Sequence, residues 1–216
     1  MTKVEVPDEV RYRGFDDVRV AVREIGIALR RPEEFAVRWQ RRATGGAPPA
    51  VVFPVLVANA IAGLAAYGLV MGMHAGPTAM LSAAVRAPLA AGLAWTIALP
   101  ALYIVNAALG SRLDASTTFL AALTTVSFGA LAMLASIPVA WFFELTLPYP
   151  AIRLLTHLLV FAGVGVCMSD VFLRVMKALE PERSRTYAAV WLALVAVIGG
   201  ELMILFGVFS AKAFDL

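Results

Sequence analysis

The chain has 216 residues, of which 61% are hydrophobic and 15% charged, and its mean hydropathy is +0.81. A soluble domain is about 45–50% apolar and about 25% charged, so a core surrounded by water is excluded and lipid must be part of the solvent. The net charge is +3, but the basic residues sit at the ends of apolar segments rather than in one patch, which is a membrane-topology pattern and leaves no nucleic-acid partner.

Residues 1–46 read as a polar cytoplasmic tail. A polar stretch of this length argues against a cleavable signal peptide, so insertion is expected to use internal spans. Within it Phe15, Val18, Val22, Ile25 and Leu29 fall at 3-4-3-4 spacing, one stripe of an amphipathic helix over residues 15–30. Pro32 then suits the first turn of a second short helix. Its Phe35 and Trp39 lie four apart, with Arg38, Arg41 and Arg42 beside them. Arg38, Trp39, Arg41 and Arg42 are the candidate contacts to an anionic membrane surface. The other reading of the same stripe is that it packs on the protein's own spans.

Gly45-Gly46-Ala47-Pro48-Pro49 breaks the helical pattern, and residues 47–210 read as a bundle of five transmembrane helices, followed by a short far-side tail at 211–216. The first span is expected over Val51–Met73. Its Gly68 and Gly72 form a small-xxx-small pair, and Gly63 adds a third small residue, the pattern that lets helices approach closely in lipid. Residues 74–86 read as a weakly polar link, and the second span is expected over Pro88–Leu109, kinked at Pro100. The third, Ser116–Phe143, carries Thr117, Thr118, Thr124, Thr125, Ser127 and Ser136, whose hydroxyls can bond to their own helix or across to a neighbour. Trp141, Phe142, Phe143 and Tyr149 follow as an interfacial aromatic belt. The fourth span, Ala151–Val175, holds Arg153, His157, Cys167 and Asp170, with Asp170 placed to pair with Arg174 at i+4. The fifth, Ala188–Phe209, holds Glu201. The fold class is therefore an all-α integral membrane protein, five transmembrane helices with an N-terminal amphipathic cytoplasmic helix.

If five spans alternate, fifteen of the eighteen Lys and Arg residues fall on one side and only Arg86, Arg153 and Lys212 on the other. This places the N-terminus in the cytoplasm and the C-terminus on the far side. The orientation also sets depth. Glu201 lies roughly 13 Å and His157 roughly 10 Å from the outer ends of their spans by helix rise, so Glu201, His157 and Arg153 form a candidate intramembrane polar group. A carboxylate at that depth costs a few kcal/mol unless paired, protonated or wet. One reading is a structural ion pair locking two helices, for which Glu201→Gln or Glu201→Ala lowers folded yield. The other is a proton-coupled or ligand-binding site.

Catalytic chemistry is not visible in the sequence. There is no Gly-x-Gly-x-x-Gly, no Gly-Lys-Ser/Thr phosphate loop and no Gly-x-Ser-x-Gly elbow. The two histidines, His74 and His157, have no cysteine or carboxylate at ligand spacing, so no metal, haem or other cofactor is expected.

A stretch with Pro followed by an aromatic (Pro32-Glu-Glu-Phe35), then five spans, resembles the Ypt-interacting protein (Yip) family, including its bacterial members. So does a third span opening on Gly110 … Phe119 and continuing through Ser127-Phe128 to Ile137-Pro138. The resemblance covers roughly residues 31–209. The tail here is short and basic, unlike the eukaryotic members, so small-GTPase binding is not carried over. The resemblance implies a non-enzymatic scaffold that organises partner membrane proteins, or copies of itself, or shapes the bilayer. The Ala-, Val- and Arg-rich usage points to a bacterial inner (plasma) membrane. The alternative function is a small transporter or channel with Glu201 and His157 on its pathway.

Overall fold

The computed structural model describes residues 19, 23, 26–43, 52–108, 110–111, 113–182 and 185–209. Six helices follow one another: α1 (Pro32–Ala43), α2 (Val52–Met71), α3 (Pro77–Ala108), α4 (Ala115–Thr146), α5 (Pro150–Leu179) and α6 (Arg185–Leu205). Four of them are long and apolar enough to cross a bilayer: α2, α3 over Pro77–Val105, α4 and α5. The apolar part of α6, Ala189–Leu205, is shorter. The chain is an integral membrane protein, all-helical among the described residues.

The helix of the expected second span, α3, begins eleven residues earlier than its hydropathy suggests, at Pro77 rather than Pro88. Gly76 takes a positive φ of 97°, which a side chain would resist, and Pro77 then supplies the fixed φ of a first helical residue. The extra turns of α3 are held by backbone contact with α2. A Cβ built on Gly72 would lie 2.5 Å from the backbone of Ala79, and one on Gly68 would lie 2.6 Å from the Ala83 carbonyl oxygen. The small-xxx-small pair is thus a packing device, and the weakly polar link expected at 74–86 is mostly helix.

At α4 the start is fixed by Asp114. Its carboxylate accepts hydrogen bonds from the Thr117 N–H at 3.1 Å and the Ser116 hydroxyl at 2.6 Å, a regular N-cap. Partial burial works to raise the Asp114 pKa, but these hydrogen bonds outweigh it and hold the carboxyl below its ordinary value.

The helix α2 packs on α3 and α4, α4 on α5, and α6 mainly on α3. Between α2 and α4 the Asn59 amide donates to both the Ser127 hydroxyl, at 2.7 Å, and the Ser127 carbonyl, at 2.9 Å. Between α6 and α3 the Trp191 indole N–H donates to the Ala98 carbonyl at 3.0 Å. Most hydroxyls on α4 turn inward: Thr117, Thr118, Thr124, Thr125 and Ser127 are buried, and Thr125 donates back to the Ala121 carbonyl.

The helix α1 lies across one end of the bundle. Phe35 and Trp39 are buried, with Val52, Leu56, Leu120 and Leu123 around them, and Trp39 meets Phe53 edge-on at 5.1 Å. Trp39 is only 4% exposed, so it is not the membrane-surface contact expected of it. Its indole is covered by apolar side chains of α2 and α4, and an aromatic ring gains as much from such a site as from an interface. Arg38 is half-buried, and the side chains of Arg41 and Arg42 lie outside the described residues. Of the upstream stripe, residues 26–30 are helical, whereas Phe15, Val18, Val22 and Ile25 lie outside the described residues. The Arg174 guanidinium bonds Asp170 at 3.0 Å, as the i+4 spacing predicts, and also Glu33 of α1 at 3.3 Å.

Candidate functional site

At the end of the bundle opposite α1, three helices bring four polar side chains into a buried cluster. Tyr67 of α2, Glu144 of α4, and Arg153 and His157 of α5 are each at most 4% exposed. The His157 Nε2 lies 2.8 Å from Glu144 Oε1, and its Nδ1 lies 2.9 Å from the Tyr67 hydroxyl. Assigned from this network, Nε2–H donates to the carboxylate and the Tyr67 O–H donates to Nδ1, which is the arrangement of a neutral imidazole. The Tyr67 and His157 rings cross edge to face at 5.6 Å.

The helix directions explain the convergence. The link 147–149 joins α4 to α5 as an antiparallel pair. Side chains lean toward the N-terminus of their own helix. Glu144 therefore leans into the bundle, while His157, one turn deeper than Arg153, leans outward to meet it. Three polar atoms stay buried without a hydrogen-bond partner: Glu144 Oε2, Arg153 Nε and Arg153 Nη1. The cluster is thus an imidazole hydrogen-bonded between a tyrosine hydroxyl and a carboxylate, with an arginine on the same helix face and donors and an acceptor left over. Removing one partner of such a group costs more than the group itself contributes.

The expected pairing of His157 with Glu201 is not formed; the acid that meets the imidazole is Glu144. The expectation matched depths by helix rise, but the face of α6 that carries Glu201 does not meet His157. Helix α6 turns Trp191, Val195, Met203 and Val208 inward. Glu201 lies two residues, about 200°, from Met203 at about 100° per residue, and so points away from the bundle. It is exposed, and it makes no hydrogen bond or ion pair among the described residues. Arg153 does share the face of His157, as their i, i+4 spacing requires. Tyr67 and Glu144 were not singled out by the sequence. The signals for them were a tyrosine hydroxyl inside an apolar span, which needs a partner when buried, and an acid one residue beyond the expected end of the third span.

Deeper in the bundle a partly open cavity of about 290 Å³ lies among α2 to α6, walled by Trp95, Gly129, Phe161, Gly165, Gly200 and Met203, among others. Phe161 separates it from the polar cluster, packing edge-on against Tyr67 at 5.6 Å. Ser169 also borders the cavity, but its hydroxyl is spent on the Gly165 carbonyl. Glu201 and His157 both lie outside its wall. Among the described residues no three His, Cys, Asp or Glu side chains converge to hold a metal ion.

The helices and this cluster define a polytopic α-helical membrane protein. No protein-family signature, curated protein or solved structure matches the chain.

Proposed function

We propose that the chain is a non-enzymatic membrane protein of five spans that binds other membrane proteins, an adaptor or scaffold of the kind a Yip-like layout implies. In this reading α6 is the fifth span. Its 17 apolar residues reach about 26 Å, close to the hydrocarbon thickness of about 30 Å, and the flanking residues of α6 complete the crossing. The distribution of Lys and Arg supports a cytoplasmic N-terminus, and the Ala-, Val- and Arg-rich composition supports a bacterial inner membrane.

One observation carries the reading: Glu201 stands exposed on an apolar helix face, and its side chain makes no hydrogen bond or ion pair among the described residues. A lone carboxylate facing acyl chains costs about 2.5–3.5 kcal/mol at the centre of a span on insertion scales, and less toward its end. Intramembrane acids of this kind face a protein neighbour or a wet cavity, and the cavity among α2 to α6 does not include Glu201 in its wall.

The test is affinity purification from native membranes with wild-type protein and Glu201→Leu, at matched accumulation. Wild type is expected to recover membrane proteins that the variant loses. Equal recovery by both, or nothing above background with either, defeats the proposal.

A further inference from the structure

We propose that the exposed face of α6 is the docking surface for a transmembrane helix that carries one Lys or Arg at the depth of Glu201. This rests on the adaptor reading and names the partner's chemistry.

Val190, Leu194, Val197, Glu201 and Ile204 recur at 4-3-4-3 spacing along α6, and all five are exposed. That spacing is the seam of one helix packed along another. Beside it run Ala193, Ala196 and Gly200, also exposed, and a Cβ on Gly200 would meet nothing within 4 Å. Small residues alongside a seam admit close helix approach in lipid. The face is thus shaped for a helix, and Glu201 is its single charged group.

Charge complementarity selects the occupant. A second copy of this chain, related by a two-fold axis along the membrane normal, sets Glu201 against Glu201 at equal depth. Two carboxylates then share one site, and one must take up a proton. A basic side chain neutralises the carboxylate without that cost, and both ions satisfy hydrogen bonds that acyl chains cannot supply. Glu201 lies four residues from the end of α6, so the matching cation sits about one to two turns inside its own span.

The purified full chain is reconstituted in phosphatidylcholine vesicles with a synthetic Leu/Ala helix of about 20 residues. The peptide carries either Lys or Leu at that depth, and energy transfer reads association. The Lys peptide is expected to associate with wild type roughly tenfold more strongly than the Leu peptide, the scale of interhelical polar contacts in membranes. Glu201→Gln, a lipid-facing change that leaves the core intact, is expected to lose the preference. No Lys preference in wild type, or the same preference in Glu201→Gln, overturns the proposal. So does efficient disulfide cross-linking between two copies of Val197→Cys in a Cys167→Ala background, which assigns the face to a second copy. If the peptide shows no preference while partner recovery from native membranes still depends on Glu201, the cation falls and the adaptor reading stands.

Discussion

Replacing Gly63 by alanine is expected to loosen the bundle at the seam between α2 and α4, where the helices meet at backbone contact. A Cβ at this position falls 2.6 Å from the Ala130 carbonyl oxygen and 2.7 Å from the Ala130 Cβ. Carbon atoms pack best at about 3.5–4.0 Å, so α2 and α4 must part by about 1 Å. Backbone cannot rotate away as a side chain end can. A gap of that size forfeits about a quarter to a half of the dispersion energy along the seam. One turn along the same seam, the Asn59–Ser127 hydroxyl contact of 2.7 Å stretches beyond hydrogen-bond range. Overpacking costs about 1–3 kcal/mol and the lost hydrogen bond about 0.6 kcal/mol or more. The gain in helix propensity, about 1 kcal/mol, offsets part of this. The net loss is about 1–3 kcal/mol, or roughly 2–12 °C in Tm at ~2–4 °C per kcal/mol. Thermal unfolding in detergent, followed by the surviving monodisperse fraction, measures it. Gly200→Ala is the matched control, because its Cβ meets nothing, and it is expected to unfold at or slightly above the wild-type temperature. A Gly63→Ala protein as stable as Gly200→Ala would show that the two helices do not meet at backbone contact.

Glu144→Leu leaves the buried His157 Nε2–H without its acceptor and is expected to cost about 1–3 kcal/mol, whereas Glu201→Gln leaves stability within about 0.5 kcal/mol of wild type; the reverse order in a thermal scan would restore Glu201 as the histidine's partner. Trp39→Ala removes a buried indole and is expected to cost about 3–5 kcal/mol, read as lost folded yield while the protein stays membrane-integrated; normal yield with loss from the membrane fraction would return Trp39 to the bilayer surface. Asp114→Ala is expected to cost about 1 kcal/mol at neutral pH. The Asp114 carboxyl titrates below its ordinary value in the folded chain, so this contribution is full above the unfolded value of about 3.9 and fades as pH falls through the lower folded value. Stability measured from pH 7 downward should show the wild-type advantage shrinking only below about pH 4, and a constant gap would contradict the cap.

The sequence reading succeeded where a local pattern carries one meaning. Gly68 and Gly72 announce close packing because only backbone contact needs them, and Asp170–Arg174 follows from helix spacing alone. Pro32 marks the start of α1 because a fixed φ and a missing N–H suit a first turn. It failed where two coordinates had to be known at once. Helix rise alone sets Glu201 level with His157, but its face depends on which side of α6 meets α3, and an apolar helix has no polar stripe to reveal that. Glu144 is hidden by company, since it directly follows Trp141, Phe142 and Phe143, whose aromatic rings read as an interfacial belt. The stripe of α1 was ambiguous because a helix that lies on lipid and one that lies on other helices bury the same kinds of residue. The start of α3 was missed because hydropathy does not register the backbone contacts that hold residues 77–87.

The position of α1 has a consequence for biosynthesis. Its apolar face is completed by α2 and α4, and its Glu33 reaches Arg174, 141 residues later in the chain. At a synthesis rate of about 5–20 residues per second, α1 waits roughly 7–28 s for that partner to be made. Through that interval α1 lacks α5, on which it also packs. Chains stalled before α5 are expected to expose α1 to added protease, and chains stalled after it to protect the same segment. The last assembly step of the bundle thus acts on one of its first-made helices, and the N-terminal segment reports whether the spans behind it have come together.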